Sequence, residues 1–452
     1  MAVALIILAA GKGTRMESDL PKVLHKVAGA PLLHHALYAG QSLEPERIVV
    51  VGGFGADAVE ASMRSFDSEA QFALQDKQLG TGHAVRQAET ALDGFDGDAI
   101  VLYGDTPFIR PETLEAMLEA RKNGAAVVVL GFCPDEPGRY GRLVTGPEGL
   151  EKIVEAKDAT DEELAISLCN SGVIAAPAEM LFSLLSEVSN DNASGEYYLT
   201  DIVGLARAAG HKAAVVTCDE AETLGINSRR ELAAAEMAFQ SRARAAAMDN
   251  GVTLAEPASV YFAFDTMIGR DVEIGPNVVF GPGTTIESGA VIHAFCHLEG
   301  CHISRGASVG PFARLRPGAE LAEEARVGNF VEIKNAEIGP GAKVNHLSYV
   351  GDASIGAEAN IGAGTITCNF DGVMKHRTEI GPRSFIGSNT CLVAPVQVGA
   401  DAMTGTGAVI TSDVPDEALA LSRVKQVNLD GVASRHMARL KSIKARKLKE
   451  AD

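Results

Sequence analysis

Three groups of residues in this 452-residue sequence combine types and spacings suited to chemistry. The first is Leu8-Ala9-Ala10-Gly11-Lys12-Gly13-Thr14-Arg15-Met16, with Pro21-Lys22 soon after. Its glycines let backbone N–H groups approach phosphate oxygens, and Lys12, Arg15 and Lys22 can offset the charge of a triphosphate. It is not a Walker A loop, and Met16 replaces the third glycine of the dinucleotide fingerprint, so an ordinary strand-to-helix turn stays open as an alternative. The second group is Tyr103-Gly104-Asp105, at the end of an apolar run. A carboxylate there suits Mg²⁺ when a triphosphate supplies the other oxygens, or else it caps the next helix. The third lies far downstream, where Arg314, Arg316 and Lys334 offer a local anion site or simply solvated charge. His346 follows them, and a neutral imidazole near pH 7 suits removal of a proton from a reacting amine, with a structural histidine as the alternative. His293, Cys296, His297, Cys301 and His302 also cluster, but their spacing does not fit the usual structural zinc patterns.

These groups need elements to hold them. Up to about residue 226 short apolar runs, Val3–Leu8, Arg47–Val51, Ala99–Tyr103 and Ala125–Leu130, alternate with helical spacing in Pro31–Ser42, Thr81–Leu92 and Pro111–Lys122. That alternation predicts an α/β half of Rossmann-like type with a mostly parallel sheet, covered on both faces and binding ligands at the carboxyl ends of its strands. From Ser228 to about Met248 the chain reads as one Ser-capped helix, about 30 Å long and able to connect two domains.

After residue 251 an aliphatic residue or Phe recurs at every sixth position. Ile268, Ile274, Phe280, Ile286 and Ile292 keep step, and Ile303, Val309, Leu315, Leu321, Val327 and Ile333 resume it in a shifted phase. Ile338, Val344, Ile355, Ile361, Ile380, Ile386, Leu392 and Val398 continue the pattern. A period of six fits neither a helix nor a two-sided strand but matches the hexapeptide repeat of a parallel β-helix, left-handed in type. Breaks in the period at Tyr349–Ser354 and Thr367–Glu379 predict two loops leaving the coil. The expected division is 1–227, a connector over 228–250, the β-helix over 251–423 and a basic tail over 424–452.

The bulk numbers restrict the partners. Forty Lys and Arg against 59 Asp and Glu give a formal charge of −19, which argues against a broad basic surface for nucleic acid or an anionic membrane. The apolar opening Ala2–Ala10 is too short for a membrane span and lacks a signal peptide's basic start, so it reads as a buried strand. Seven cysteines without a CxxC pair suit a reducing compartment, and the cytoplasm is the expected location.

The LAAGKGTRM loop with its downstream Pro-Lys, the run QLGTGHA at Gln78–Ala84 and the Tyr-Gly-Asp at 103–105 together resemble the sugar-nucleotide pyrophosphorylases. Joined to a hexapeptide-repeat half, the chain from residue 3 to about 423 is similar to the bifunctional N-acetylglucosamine-1-phosphate uridylyltransferase/glucosamine-1-phosphate acetyltransferase family. The resemblance implies that Leu8, Ala9, Ala10, Gly11 and Lys22 meet UTP, that Gln75, Gly80 and Thr81 read its uracil, and that Tyr103 and Gly104 border the same site. Asp105 and Asn227 would hold Mg²⁺, and Gly141, Glu155 and Asn170 would grip the sugar of N-acetylglucosamine 1-phosphate. In the second half it implies His346 as general base, with Arg316, Lys334, Tyr349 and Asn360 on glucosamine 1-phosphate. Ala363, Asn369, Ser388, Thr406 and Arg423 would meet acetyl-CoA. Phe370 stands where the family has Tyr, and the family often has Ala at the place of Thr406. The family forms trimers with acetyl sites between subunits, and a homotrimer is expected by resemblance. The tail from Lys425 to Asp452 carries eight Lys or Arg against three acids and reads as a solvated helix. A sugar-1-phosphate nucleotidyltransferase whose β-helix serves only oligomerisation or regulation is the rival reading, and a non-catalytic scaffold is a third. His346 beside the run Asn360–Asn369 disfavours the first of these, and Lys22 with Asp105 disfavours the second.

Overall fold

The computed structural model describes residues 2–449, so residue 1 and residues 450–452 of the expected tail lie outside it. The described chain forms two compact units, one of residues 2–249, 260–266 and 280–282, the other of 250–259, 267–279 and 283–449.

In the first unit the strands β1 (Val3–Ala9), β2 (Arg47–Gly52), β3 (Gln71–Leu74), β4 (Asp98–Tyr103), β5 (Val127–Phe132), β6 (Cys169–Pro177) and β7 (Ala213–Thr217) lie in the order β7-β5-β6-β4-β1-β2-β3. All neighbours are parallel except β6, which runs antiparallel to both β4 and β5. β1 is buried along its whole length, as expected of a central strand covered on both faces. Its side chains alternate between two cores. Ile6 packs with Val49, Val101 and helix residues Leu181 and Ile202, whereas Leu5 and Ile7 pack with Ile100, Leu102 and helix residues Leu37, Met63 and Leu114. The chain goes from β1 to β2 and β3 on one side, then returns to put β4 on the other. The gap at the carboxyl ends of β1 and β4 is therefore the topological switch point, where ligands bind in sheets of this kind.

The expected single helix over Thr81–Leu92 is shorter, ending at Arg86 before a separate turn over Thr90–Leu92. The Gln87 side chain donates to the His83 carbonyl at 2.9 Å, and the backbone N–H groups of Gln87, Ala88 and Glu89 bond three residues back instead of four. That tightening ends the α-helix. The helix Arg229–Asp249 starts as expected, with Ser228 accepting from the Glu231 N–H at 3.3 Å. It packs within the first unit through Leu232, Ala235, Ala238 and Phe239 against Val27, Leu32, Phe108 and Phe264.

His35 lies in that packed region, 3% exposed, with Nε2 at 3.0 Å from the Val27 carbonyl and its ring edge-on to Phe264. Burial, ahead of other causes, pulls its pKa down to about 4. The unfolded chain then binds a proton before the folded one does as pH falls from about 6.5, so this contribution is complete above pH 6.5 and shrinks toward pH 4. Thermal melts of the wild type should fall across that window, by up to about 3 kcal/mol from this group. His35→Leu should flatten that part of the slope, and an unchanged slope would remove His35 as its source.

The second unit is a left-handed parallel β-helix. One face is a ladder of ten short strands, and the remaining strands join in a second sheet of 14. Of the hexad residues from Ile268 to Val398, all are buried except Ile268, which is half-buried. The predicted loop over Tyr349–Ser354 is not formed. Tyr349–Ile355 is one strand in unbroken register with Glu332–Ile338, turning a corner at Asp352, whose φ of +49° bends the chain without leaving the coil. Between Cys368 and Thr378 the chain does leave the coil, within the second predicted break. The tail forms a helix over Val432–Lys449, with its side chains exposed through residue 447.

Candidate functional site

Parallel pairing of β1 with β4 sets Leu8 beside Tyr103, and the Gly104 N–H donates to the Leu8 carbonyl at 3.0 Å. The phosphate-loop candidate and Tyr103-Gly104-Asp105 thus leave the sheet side by side. They border a cavity of about 300 Å³ lined by Leu8, Ala9, Ala10, Gly11, Lys22, Gln75, Gly80, Thr81, Tyr103 and Asp105 among the expected residues. Val23, Gln78, Ala84 and Glu196 also line it and were not expected.

Lys22 is the hinge of this site. Its ammonium donates to the Asp105 carboxylate and, at 3.0 Å, to Oδ1 of Asn227. One carboxylate and one amide oxygen are therefore turned onto a single cation. That donor set suits a hard divalent ion such as Mg²⁺, with further oxygens coming from a triphosphate. Gly13 makes the arrangement possible, since its φ is +63° and any Cβ there would lie 2.6 Å from Cβ of Lys22. Lys12 and Arg15 stay exposed at the rim.

Gly80 has φ +109°, and a Cβ on it would lie 2.6 Å from the Tyr197 carbonyl oxygen, so the segment before Thr81 lies flat against the wall that also carries Glu196. The neighbouring cluster holds the expected sugar residues. The Asn170 N–H donates to the Gly141 carbonyl at 2.9 Å, and the Glu155 carboxylate accepts from Thr200 at 3.2 Å. Register shifts between Asn170 and Ile174 in β6, the kind of irregularity that often borders a site. Burial raises the Glu155 carboxyl, with Asp201 and Asp158 adding to it. Tyr103 links the two clusters, its phenol pushed above its ordinary range by burial and then by the charges of Asp105 and Glu155.

In the β-helix, strand register stacks Arg314 on Glu332 and Leu315 on Ile333, which brings Arg316 level with Lys334 on the next coil. Arg316 pairs with Glu332 at 2.8 Å. The Lys334 ammonium is held below its ordinary range by the Lys375 side chain first and by the charge of Arg316 after it, with Asp352 opposing. Lys375 was not expected. It comes from the loop that leaves the coil after Cys368, and it completes a crowd of three cations that an anion would relieve. Asp352 accepts from Asn335 at 2.6 Å and from Asn369, whose amide also lies 3.5 Å from the Tyr349 hydroxyl. Asn369 therefore sits beside Tyr349 and the residues around the cations. Asn360 is on the strand stacked against Lys343. Phe370 is 60% exposed and bridges to Lys375.

His346 is exposed, with Nδ1 at 2.7 Å from Oδ1 of Asn329. An amide oxygen only accepts, so Nδ1 carries the proton and Nε2 keeps its lone pair. Asn329 was missed, although it precedes His346 by one coil and pairs with it in register. The His346 carbonyl accepts from Gly364, Ala363 from Asn389, Ser388 from Gly407, and Thr406 from the Arg423 guanidinium at 3.0 Å. His346, Ala363, Ser388 and Thr406 thus form a line up successive coils, roughly 14 Å long at about 4.8 Å per step.

Cys296 and Cys301 are buried, their thiols raised to about 11 and about 12 by burial, while His293 bonds Ser308 and His302 bonds Glu287. Among the described residues no three His, Cys, Asp or Glu side chains group to hold a metal.

Comparison with known proteins decides the family. Residues 5–165 match the MobA-like NTP transferase domain, residues 265–300 the bacterial transferase hexapeptide and residues 377–412 the hexapeptide repeat of succinyl-transferase. A bifunctional protein GlmU from Cereibacter sphaeroides is 66% identical over 449 residues, covering 99% of both chains. One from Ruegeria is 66% identical over 99% of this chain and 100% of its own. The chain belongs to the GlmU family. A solved UDP-glucose pyrophosphorylase complexed with UDP-glucose is 21% identical, covering 54% of this chain and 100% of its own at a TM-score of 0.44, too distant to bear on chemistry. Membership of the GlmU family spans both clusters described above, since the matched length runs through the two units.

Proposed function

We propose that the two clusters divide the work of a bifunctional enzyme of UDP-N-acetylglucosamine synthesis. The chain is a uridylyltransferase and an acetyltransferase that uses UTP and acetyl-CoA. The observation that supports the division of labour is that the residues proposed for each reaction all lie in one unit, those from Leu8 to Asn227 in the first and those from Arg316 to Arg423 in the second.

In the first unit the UTP triphosphate lies over the glycine loop, with Lys22 on its oxygens and Gln75, Gly80 and Thr81 at the base. N-acetylglucosamine 1-phosphate is held by Gly141, Glu155 and Asn170, and Tyr103 and Gly104 border both substrates. Its phosphate oxygen attacks the α-phosphorus of UTP, the new P–O bond forms as the bond to pyrophosphate breaks, and pyrophosphate departs. No protein nucleophile takes part, so these residues act by alignment and charge neutralisation. Asp105 and Asn227 would hold Mg²⁺, which supplies charge neutralisation at the phosphate oxygens when bound.

In the second unit Arg316, Lys334, Tyr349 and Asn360 bind glucosamine 1-phosphate. Nε2 of His346 takes the proton of its amine as the nitrogen attacks the acetyl carbonyl carbon, the C–S bond breaks as the new C–N bond is made, and the departing thiolate takes the proton from His346 to leave as the coenzyme thiol. Ala363, Asn369, Ser388, Thr406 and Arg423 line the path of the coenzyme, and the Asn369 amide also lies against the Tyr349 hydroxyl. These activities divide between residues 1–227 and 251–423, joined through 228–250 and followed by the tail 424–452.

We further assign a homotrimer and a cytoplasmic location. Phe295, Phe312 and Phe330 are 51%, 46% and 56% exposed and stack along one corner of the β-helix, and Leu347 beside His346 is also exposed. An exposed apolar stripe of this size suits a subunit contact. No helix among the described residues is long and apolar enough to cross a membrane.

Two assays on one preparation test the reading. Pyrophosphate should be released from UTP with N-acetylglucosamine 1-phosphate, and free thiol from acetyl-CoA with glucosamine 1-phosphate. Pyrophosphate release without thiol release would leave only the nucleotidyltransferase with a non-catalytic β-helix.

A further inference from the structure

Gln75 follows β3 and is 3% exposed, yet it lines the cavity of the uridylyl site. Its side-chain nitrogen donates to the Gly80 carbonyl at 3.2 Å and faces Nδ1 of His83 at 3.0 Å. An amide nitrogen has two hydrogens, and both are used. Among the described residues Oε1 of Gln75 has no hydrogen-bond partner, so it is the atom left for a ligand.

Both partners of the amide nitrogen are acceptors. The Gly80 carbonyl accepts always, but Nδ1 of His83 accepts only while the ring is neutral and protonated at Nε2, and the Gln87 side-chain nitrogen that faces Nε2 stands farther off, at 3.4 Å, than Gln75 does from Nδ1 at 3.0 Å. Burial, then the charge of Arg86, lowers the His83 pKa and favours that neutral ring near pH 7. A flipped amide would aim its oxygen at two lone pairs, on His83 and on Gly80, and would turn its N–H groups to the ligand.

We infer that His83 sets the base selectivity of the uridylyl site by locking the Gln75 amide with its oxygen toward the base. The inference rests on the reading of Gln75 as a base contact. Uracil presents an N–H at ring position 3, which an oxygen can accept, whereas cytosine presents a lone pair there. An oxygen-out amide favours the first and repels the second, and an amide free to turn would tolerate both. His83 is a positioning residue, since it acts through Gln75.

The test measures kcat and KM for UTP and for CTP, each with N-acetylglucosamine 1-phosphate, on the full chain and on His83→Ala, His83→Asn and Gln75→Ala. His83→Ala should lower the UTP-to-CTP ratio of kcat/KM about tenfold, mainly by raising KM for UTP, because the amide meets the base and not the reacting phosphorus. His83→Asn returns an acceptor near the Nδ1 position and should keep the ratio within about threefold of wild type. Gln75→Ala should lower the ratio whatever stands at residue 83. A wild-type ratio in His83→Ala, together with a collapsed ratio in Gln75→Ala, would overturn the inference and leave the Gln75 reading intact. An unchanged ratio in Gln75→Ala would overturn the Gln75 reading and the role of His83 with it. If His83→Ala melts below the assay temperature, His83→Leu, which fills the space without an acceptor, gives the same comparison.

Discussion

Asp105→Ala should lower pyrophosphate release by about 10³-fold while acetyl transfer continues at the wild-type rate. Among the described residues Asp105 is the one carboxylate paired with Lys22, and it reaches that place because β4 ends beside β1 at the switch point. The loss should not come from a collapsed loop. The substitution removes neither the bond from Lys22 to Asn227, 3.0 Å in the wild type, nor the one from Arg229 to the Met16 carbonyl at 3.2 Å, so both can still hold the loop. Asp105→Asn separates two explanations. If Asp105 only orients Lys22, an amide oxygen serves nearly as well and activity returns. If the carboxylate holds Mg²⁺, the amide stays poor and the Mg²⁺ concentration needed for half activity rises. Near-normal turnover of Asp105→Ala at saturating Mg²⁺ would rule out the metal role. Acetyl transfer serves as the internal control, because every residue proposed for it belongs to the second unit.

Local pattern makes much of this site legible in the sequence alone. A strand covered on both faces reads as an unbroken apolar run, so Val3–Leu8 and Ala99–Tyr103 announce β1 and β4, and the glycine loop and Asp105 fall at their ends. The six-residue period locates the β-helix core because each coil must supply an aliphatic side chain at the same phase. What escapes depends on which distant segments meet. Glu196 carries no motif of its own, and it lines the cavity because the Gly80 segment lies against Tyr197. Lys375 stands in a loop without period, so nothing in its neighbourhood points toward Lys334. The expected loop at Tyr349–Ser354 fails for a related reason. A gap in the period implies a departure from the coil, yet Asp352 turns the corner with positive φ and the strand ladder continues. Asn329 is within reach of sequence reasoning, since residues 17 or 18 apart stack in this repeat, and that spacing leads from Arg316 to Lys334 and from Asn329 to His346.

His346→Ala should slow acetyl transfer by about 10²–10⁴-fold, the range for loss of a positioned general base. The argument starts from Asn329. Its carbonyl oxygen fixes the proton on Nδ1 of His346 at 2.7 Å, which leaves Nε2 as the basic atom of an exposed ring. The ring stands at the foot of the line that Ala363, Ser388 and Thr406 continue, and each step of that line is secured by a backbone bond. A coenzyme lying along it would end at His346, where the amine of glucosamine 1-phosphate must give up its proton. Because the base acts on the amine, affinity for acetyl-CoA should change little, and uridylyl transfer on the same preparation should not change. His346→Asn should not rescue, since it restores a contact near Nδ1 but no base at Nε2. Asn329→Ala should slow acetyl transfer less, because the ring survives with an unfixed tautomer, and it should shift the pH profile of kcat/KM. A structural histidine would behave otherwise, with His346→Ala lowering the melting temperature and leaving turnover of the folded fraction within about threefold of wild type, far short of the loss of a general base.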